Sequence, residues 1–174
     1  MKKIALIFWP RGGNVEKAAD MIMNALNQEE AERYSVTDVN EEILRAHPVF
    51  IVGGSTVGAE TWREADDSNV WNDFFRLLDR IDTQDKKVAF FNLGDQVLYP
   101  LHFVDDLRIF EDEFSRRKFT IGGRWPVEGY DFSDSEGVKD DHFFGLALDE
   151  DWQSDLSEER INQWLAKVKK EFGL

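Results

Sequence analysis

The chain has 174 residues, with 35 acidic against 21 basic side chains, a net charge of −14 and no cysteine. The negative balance disfavours nucleic acid as a partner, because contacts to phosphate need clustered lysine and arginine, and the lack of cysteine excludes disulfides, iron–sulfur ligation and thiol chemistry. No apolar run approaches the ~20 residues of a membrane helix and the first residues do not resemble a signal peptide, so we expect a cytoplasmic protein without a membrane span, with one domain over residues 1–174.

Strands and helices alternate along the sequence. An apolar run predicts a first strand over residues 3–9, and apolar residues at helical spacing predict a helix that begins at Asn14. A turn rich in proline and glycine, residues 10–13, joins the two. Later patterns predict strands at 34–39, 49–52, 88–93, 118–121 and 143–148, and helices at 40–46, 71–78, 103–114 and from about 155 or 157 onward. This alternation predicts a parallel sheet that is covered by helices on both faces.

Three loops that contain glycine are expected at the edge of the sheet where open α/β folds bind their ligands. They span residues 10–14, 53–69 and 92–101. In the first of them a strand, a glycine turn and a helix N-terminus follow one another, so free backbone N–H groups and the helix dipole point at one spot. The sequence therefore predicts a pocket for an anion, and a phosphate-bearing cofactor is its simplest occupant.

Other chemistries find little support in the sequence. His47, His102 and His142 lie far apart without the spacing of metal ligands, so we expect no metal site. The chain has neither a G-x-S-x-G elbow nor a Walker-type Gly-Lys-Ser/Thr motif. Between residues 134 and 159, ten acidic residues stand against one basic residue. This segment is either a docking surface for a basic partner or a solvated acidic face.

Three strings make the sequence recognisable: FNLGDQVLYPLHF at residues 91–103, WPVEGYDF at 125–132 and GLALDED at 145–151. With them the chain resembles the flavodoxin family, in particular its long-chain members, over nearly all of its length. The resemblance implies a doubly wound five-stranded parallel sheet in the order 2-1-3-4-5, with helices on both faces and an inserted loop in the last strand. It also implies FMN bound without a covalent link at the strand ends.

The first loop departs from the family pattern. The family has three hydroxyl residues there, around a Gly-Asn pair that this chain retains, and their positions hold Pro10, Gly12 and Val15. Proline also removes one backbone donor. We expect the remaining backbone N–H groups and the guanidinium of Arg11 to hold the phosphate instead, because glycine lets the chain approach closely and arginine is a forked donor.

The resemblance assigns further residues to the other two loops. Val57 follows Thr56 where the family has a Trp that stacks on the flavin, so Trp62 is either a substitute or a surface aromatic. Gly58 lies near the peptide that the family reorients upon flavin reduction, and Tyr99 matches the residue on the outer face of the ring. The predicted cofactor-binding residues are Pro10, Arg11, Gly12, Gly13, Asn14, Val15, Thr56, Val57, Gly58, Trp62, Leu93, Gly94, Asp95, Gln96 and Tyr99.

The resemblance implies a low-potential one-electron carrier and not an enzyme, because FMN supplies the chemistry and the protein tunes its potential. Its partners would be basic redox proteins, such as a flavodoxin reductase or an electron acceptor, and the chain would be a monomer. The altered first loop leaves one alternative open: a flavodoxin-like fold that has lost or weakened FMN binding and acts as a protein-interaction or regulatory module.

Overall fold

The computed structural model describes residues 3–55 and 69–174. Its main sheet contains five parallel strands in the order β2-β1-β3-β4-β5, which confirms the predicted order, and a further strand, β9, also pairs with β4. The strands are β1 (Ile4–Phe8), β2 (Ala31–Ser35), β3 (Val49–Gly54), β4 (Lys87–Leu93), β5 (Thr120–Gly122), β6 (Trp125–Pro126), β7 (Val138–Lys139), β8 (His142–Phe143) and β9 (Leu146–Leu148). The helices are α1 (Gly13–Ala25), α2 (Glu41–Ala46), α3 (Val70–Leu78), α4 (Leu107–Arg116) and α5 (Ser157–Phe172).

Helices cover both faces of the main sheet, because successive residues of a strand point to opposite sides. Ile4, Leu6 and Phe8 of β1 pack with α1 and α5, whereas Ala5 and Ile7 pack in a second cluster with α3 and α4. Strands β1 and β3 are buried over their whole length, which explains their unbroken apolar runs. The sheet is therefore the rigid layer from which the loops at the strand ends extend.

The last parallel strand is interrupted. β5 pairs with Lys87–Ala89 of β4, and β9 pairs with Phe91–Leu93 farther along the same strand. Between them, β6, β8 and β7 form a small antiparallel sheet. The prediction that residues 122–142 are only loop-like was therefore wrong, because strands of two residues are too short to leave a periodic pattern in the sequence.

The strand expected at 143–148 is divided between β8 and β9, which lie in different sheets, and two predicted boundaries were also wrong. The strand expected at 34–39 lies earlier, at Ala31–Ser35, and residues Val36–Asp38 form a short 3-10 helix instead. The helix expected from Phe103 begins at Leu107, because Val104 has a left-handed φ of 49° that a helix does not allow. Phe103 is nevertheless fully buried, so its apolar spacing came from core packing rather than from helical structure.

Within the described residues, no helix has both the length and the apolar character that crossing a membrane requires.

Candidate functional site

A cavity of about 330 Å³ opens at the carboxyl ends of β1, β3, β4 and β9. This volume lies at the lower end of the range of small-molecule sites, roughly 300–1,000 Å³. Nine of the predicted residues line it together with three that were not predicted. The lining residues are Pro10, Gly12, Gly13, Asn14, Val15, Ser55, Leu93, Gly94, Asp95, Tyr99, Glu150 and Asp151.

One wall of the cavity is the start of α1. The residue before the helix is Gly12, which has no side chain to cap it, whereas the side chains of Asn40 and Asn69 cap α2 and α3. Gly12 and Gly13 have φ values of 74° and 68°, and apart from their neighbours along the chain and in the helix no described heavy atom lies within 4 Å of a Cβ built on either. The first-turn N–H groups of α1, which have no partner within the helix, therefore border the cavity in a form suited to an anion.

Two charged side chains hold the outside of this first loop. Arg11 is exposed and its guanidinium pairs with Asp38, in the short 3-10 helix after β2, so the structure does not bring Arg11 to the cavity wall. The N–H of Gly12 donates to Glu16 Oε2 at 2.5 Å, which withdraws one backbone donor from the cavity. The backbone donors that remain at this wall are the N–H groups of the first turn of α1.

The opposite wall follows β4. The N–H of Gly94 donates to the Leu148 carbonyl at 3.0 Å, and the N–H of Tyr99 donates to the Asp95 carbonyl at 3.0 Å. Tyr99 is 51% exposed, so its ring is available to a ligand. Gln96 was predicted to bind the cofactor but does not line the cavity; it is 2% exposed and its side chain donates to Asp149.

Glu150 and Asp151 line the cavity and were missed by the sequence analysis, although they close the string GLALDED that the resemblance uses. The buried carboxylate of Glu150 lies 2.9 Å from Lys17 Nζ, so its charge is balanced. Burial first, and then the charges of Asp95, Asp149 and Glu150, raise the pKa of Asp151. This side of the cavity is therefore strongly acidic.

The second predicted loop contributes Ser55 to the cavity. The predicted residues Thr56, Val57, Gly58 and Trp62 lie outside the described residues. Their assignment, including the choice between a stacking and a surface role for Trp62, stays a prediction.

Comparison with known proteins identifies the family. The family model described as Flavodoxin matches residues 6–164. The flavodoxin of Klebsiella pneumoniae is 38% identical over 175 residues, which cover 100% of this chain and 97% of that protein, and a flavodoxin of Nostoc sp. strain PCC 7120 is 35% identical with 99% of each covered. The crystal structure of Fusobacterium nucleatum flavodoxin bound to flavin mononucleotide superposes with a TM-score of 0.84 at 25% identity, covering 99% of both chains. With a matching sheet order and a cavity at the strand ends, the chain belongs to the flavodoxin family.

Proposed function

We propose that the protein carries single electrons on FMN, bound without a covalent link in the cavity at the strand ends. The observation that supports this most is the pairing of an uncapped helix N-terminus on one wall with an exposed tyrosine on the other. An anionic tail and a flat ring need these two kinds of surface. Family membership and the flavodoxin of Fusobacterium nucleatum, crystallised with flavin mononucleotide, support the same assignment.

The phosphate is assigned to the phosphate-side loop, residues 10–15. Backbone N–H groups of Gly13, Asn14 and Val15 face an anion at the positive end of the α1 dipole. Arg11 adds positive charge from the outside of the loop, where Asp38 offsets part of it. A hydrogen bond to a charged group contributes about 1.5–3 kcal/mol, so without side-chain hydroxyls at Pro10, Gly12 and Val15 the affinity depends mainly on the backbone.

The ring is assigned to the ring-side loop, residues 93–99. Tyr99 covers one face and excludes water from it, and the backbone of Gly94 and Asp95 meets the ring edge. When bound, FMN supplies the redox chemistry. The carboxylates of Asp95 and Asp151 on the cavity wall disfavour added negative charge, which keeps the reduction potential low.

The finer assignments belong to the same proposal. The net charge of −14 favours basic redox proteins as partners, such as a reductase or an electron acceptor. Three exposed apolar side chains in or directly after the ring-side loop, Val97, Leu98 and Leu101, would be covered in such an encounter. We further propose a cytoplasmic monomer, one domain over the whole chain and membership of the long-chain branch, which an interrupted last strand favours.

The alternative of a module without FMN has less support, because the relatives that match over the whole chain are flavodoxins. Titration of the flavin-free protein with FMN tests the proposal. We expect saturable quenching of FMN fluorescence, and reduction of the complex in two separate one-electron stages. Unquenched FMN, or reduction in one two-electron stage, would refute it.

A further inference from the structure

A buried carboxylate joins the loops on one side of the cavity. Asp149, directly after β9, is fully buried and accepts four hydrogen bonds. Its Oδ2 accepts from the backbone N–H of Gln96 at 3.1 Å and from Gln96 Nε2 at 2.8 Å. Its Oδ1 accepts from the backbone N–H of Asp151 at 3.1 Å and of Trp152 at 3.0 Å. One side chain thus fixes both the ring-side loop and the turn after β9.

The network extends to a third segment. Gln96 Oε1 accepts from the backbone N–H of Asp131 at 2.5 Å, in the insertion between β5 and β9. Trp152 Nε1 in turn donates to Asp95 Oδ1 at 2.9 Å, and Asp95 Oδ1 also accepts from the N–H of Leu98 at 2.8 Å. Hydrogen bonds around Asp149 therefore join three segments that are far apart in the sequence.

We propose that Asp149 is a positioning residue that sets the ring-side wall for the flavin; the inference rests on the proposed FMN site. Asp149 does not line the cavity, but Asp95 and Asp151, next to the groups it binds, do. A buried carboxylate is tolerated only when its oxygens are satisfied, and here the acceptors and the donors match. The loop is thereby ordered before a ligand arrives, so binding does not have to order it.

The geometry predicts that asparagine cannot replace Asp149. Each carboxylate oxygen faces two N–H groups, so the NH2 of an asparagine would point at donors in either orientation. In Asp149→Asn we expect the affinities for FMN and for riboflavin to fall by the same factor, about tenfold or more, because bonds to a charged acceptor are the strong ones. Riboflavin lacks the phosphate, so an equal loss locates the defect at the ring.

Two further variants keep the test decisive. Gln96→Leu removes only the side-chain bonds, so we expect a smaller loss of both affinities even where Asp149→Asn folds poorly. Asp131→Asn is the matched control, because it removes the same charge from an exposed side chain while the backbone N–H that joins the network remains. We expect unchanged affinities in this control.

The same variants are measured without flavin by amide hydrogen exchange. Faster exchange of the Gln96 and Trp152 amides in Asp149→Asn, with unchanged exchange in β1 and β3, supports the proposal. Unchanged exchange and affinity, or a loss confined to FMN, would overturn it. Wild-type protein that binds neither flavin would refute the proposed function instead, and amide exchange would still decide the role of Asp149.

Discussion

The two walls of the cavity are held in different ways. The phosphate-side loop is fixed by contacts on its outside, an ion pair between the exposed side chains of Arg11 and Asp38 and a hydrogen bond from Gly12 to the half-buried Glu16. The ring-side loop is fixed from below by Asp149, which has no exposed surface. Exposed ion pairs contribute little because water and salt screen them, whereas satisfied buried networks hold one geometry.

Because the two walls differ in this way, we expect the phosphate and the ring of the cofactor to be recognised independently of each other. The phosphate-side loop can adapt to a phosphate, because its two glycines are not crowded by other segments and its outer contacts leave the inner side open. A wall locked by a buried carboxylate offers one fixed surface to a rigid ring. We therefore expect substitutions in the phosphate-side loop to separate FMN from riboflavin, and substitutions in the ring-side loop to affect both.

The largest effect is expected for Gly13→Ala. Its φ of 68° costs an alanine about 1–2 kcal/mol, and the strain shifts the N–H groups assigned to the phosphate. Gly173→Ala is the matched control, because Gly173 has a φ of 69° and likewise no described heavy atom other than its neighbours along the chain within 4 Å of its Cβ position. Denaturation should show similar losses of stability in the two variants. Titration should show weaker FMN binding in Gly13→Ala alone, with riboflavin affinity unchanged. An equal loss of affinity for FMN and riboflavin would contradict the assignment of this loop to the phosphate.

Tyr99→Ala tests the opposite wall. An aromatic pair contributes about 0.5–1.5 kcal/mol beyond its buried area, so FMN and riboflavin should both bind at least about two- to tenfold more weakly. Leu98→Ala removes a side chain that is 68% exposed and does not line the cavity, and serves as the control. Fluorescence titration measures all four affinities. An effect of Tyr99→Ala on FMN alone would mean that the ring does not lie against this wall.

Arg11 and Asp38 should show smaller effects of opposite sign. Arg11→Ala removes a positive charge near the phosphate, and Asp38→Asn frees the guanidinium from its exposed partner. We expect weaker FMN binding in the first variant and tighter binding in the second, each by less than about 1 kcal/mol because both groups are exposed. Added salt should reduce both differences. Unchanged FMN affinity in both variants would show that Arg11 plays no part in holding the phosphate.

The smallest effect concerns Asp151, whose pKa is raised by burial and by neighbouring carboxylates. Because the folded protein favours the protonated form, the ionised form destabilises the fold above the folded-state pKa. Asp151→Asn should therefore be slightly more stable than the wild type at about pH 7, and the gain should vanish below the unfolded-state value of about 3.9. Denaturation of both proteins at both pH values measures this difference in stability. A stability gain of Asp151→Asn seen only at low pH would mean that the pKa of Asp151 is lowered and not raised.

The alternation of strands and helices and the parallel sheet could be predicted from the amino-acid pattern alone, because the apolar spacing records which face of each element is buried. Gly94 follows the buried strand β4 directly, and the family resemblance pointed to Tyr99 in the loop after it. The helix boundary near Phe103 and the strand boundary near Val36 could not be predicted from the sequence. A residue packed in the core, or in a turn, is apolar in the same way as one in a helix or a strand.

The way in which the loops meet depends on the assembled fold. Arg11 contacts Asp38, which lies 27 positions along the sequence, and Gln96 contacts Asp149, which lies 53 positions along. No local pattern in the sequence encodes either contact. Glu150 and Asp151 reach the cavity for the same reason, since β9 lies beside β4 across an insertion. Local periodicity reports burial, whereas a site is made by side chains from separate strand ends, whose neighbours are fixed only when the sheet assembles.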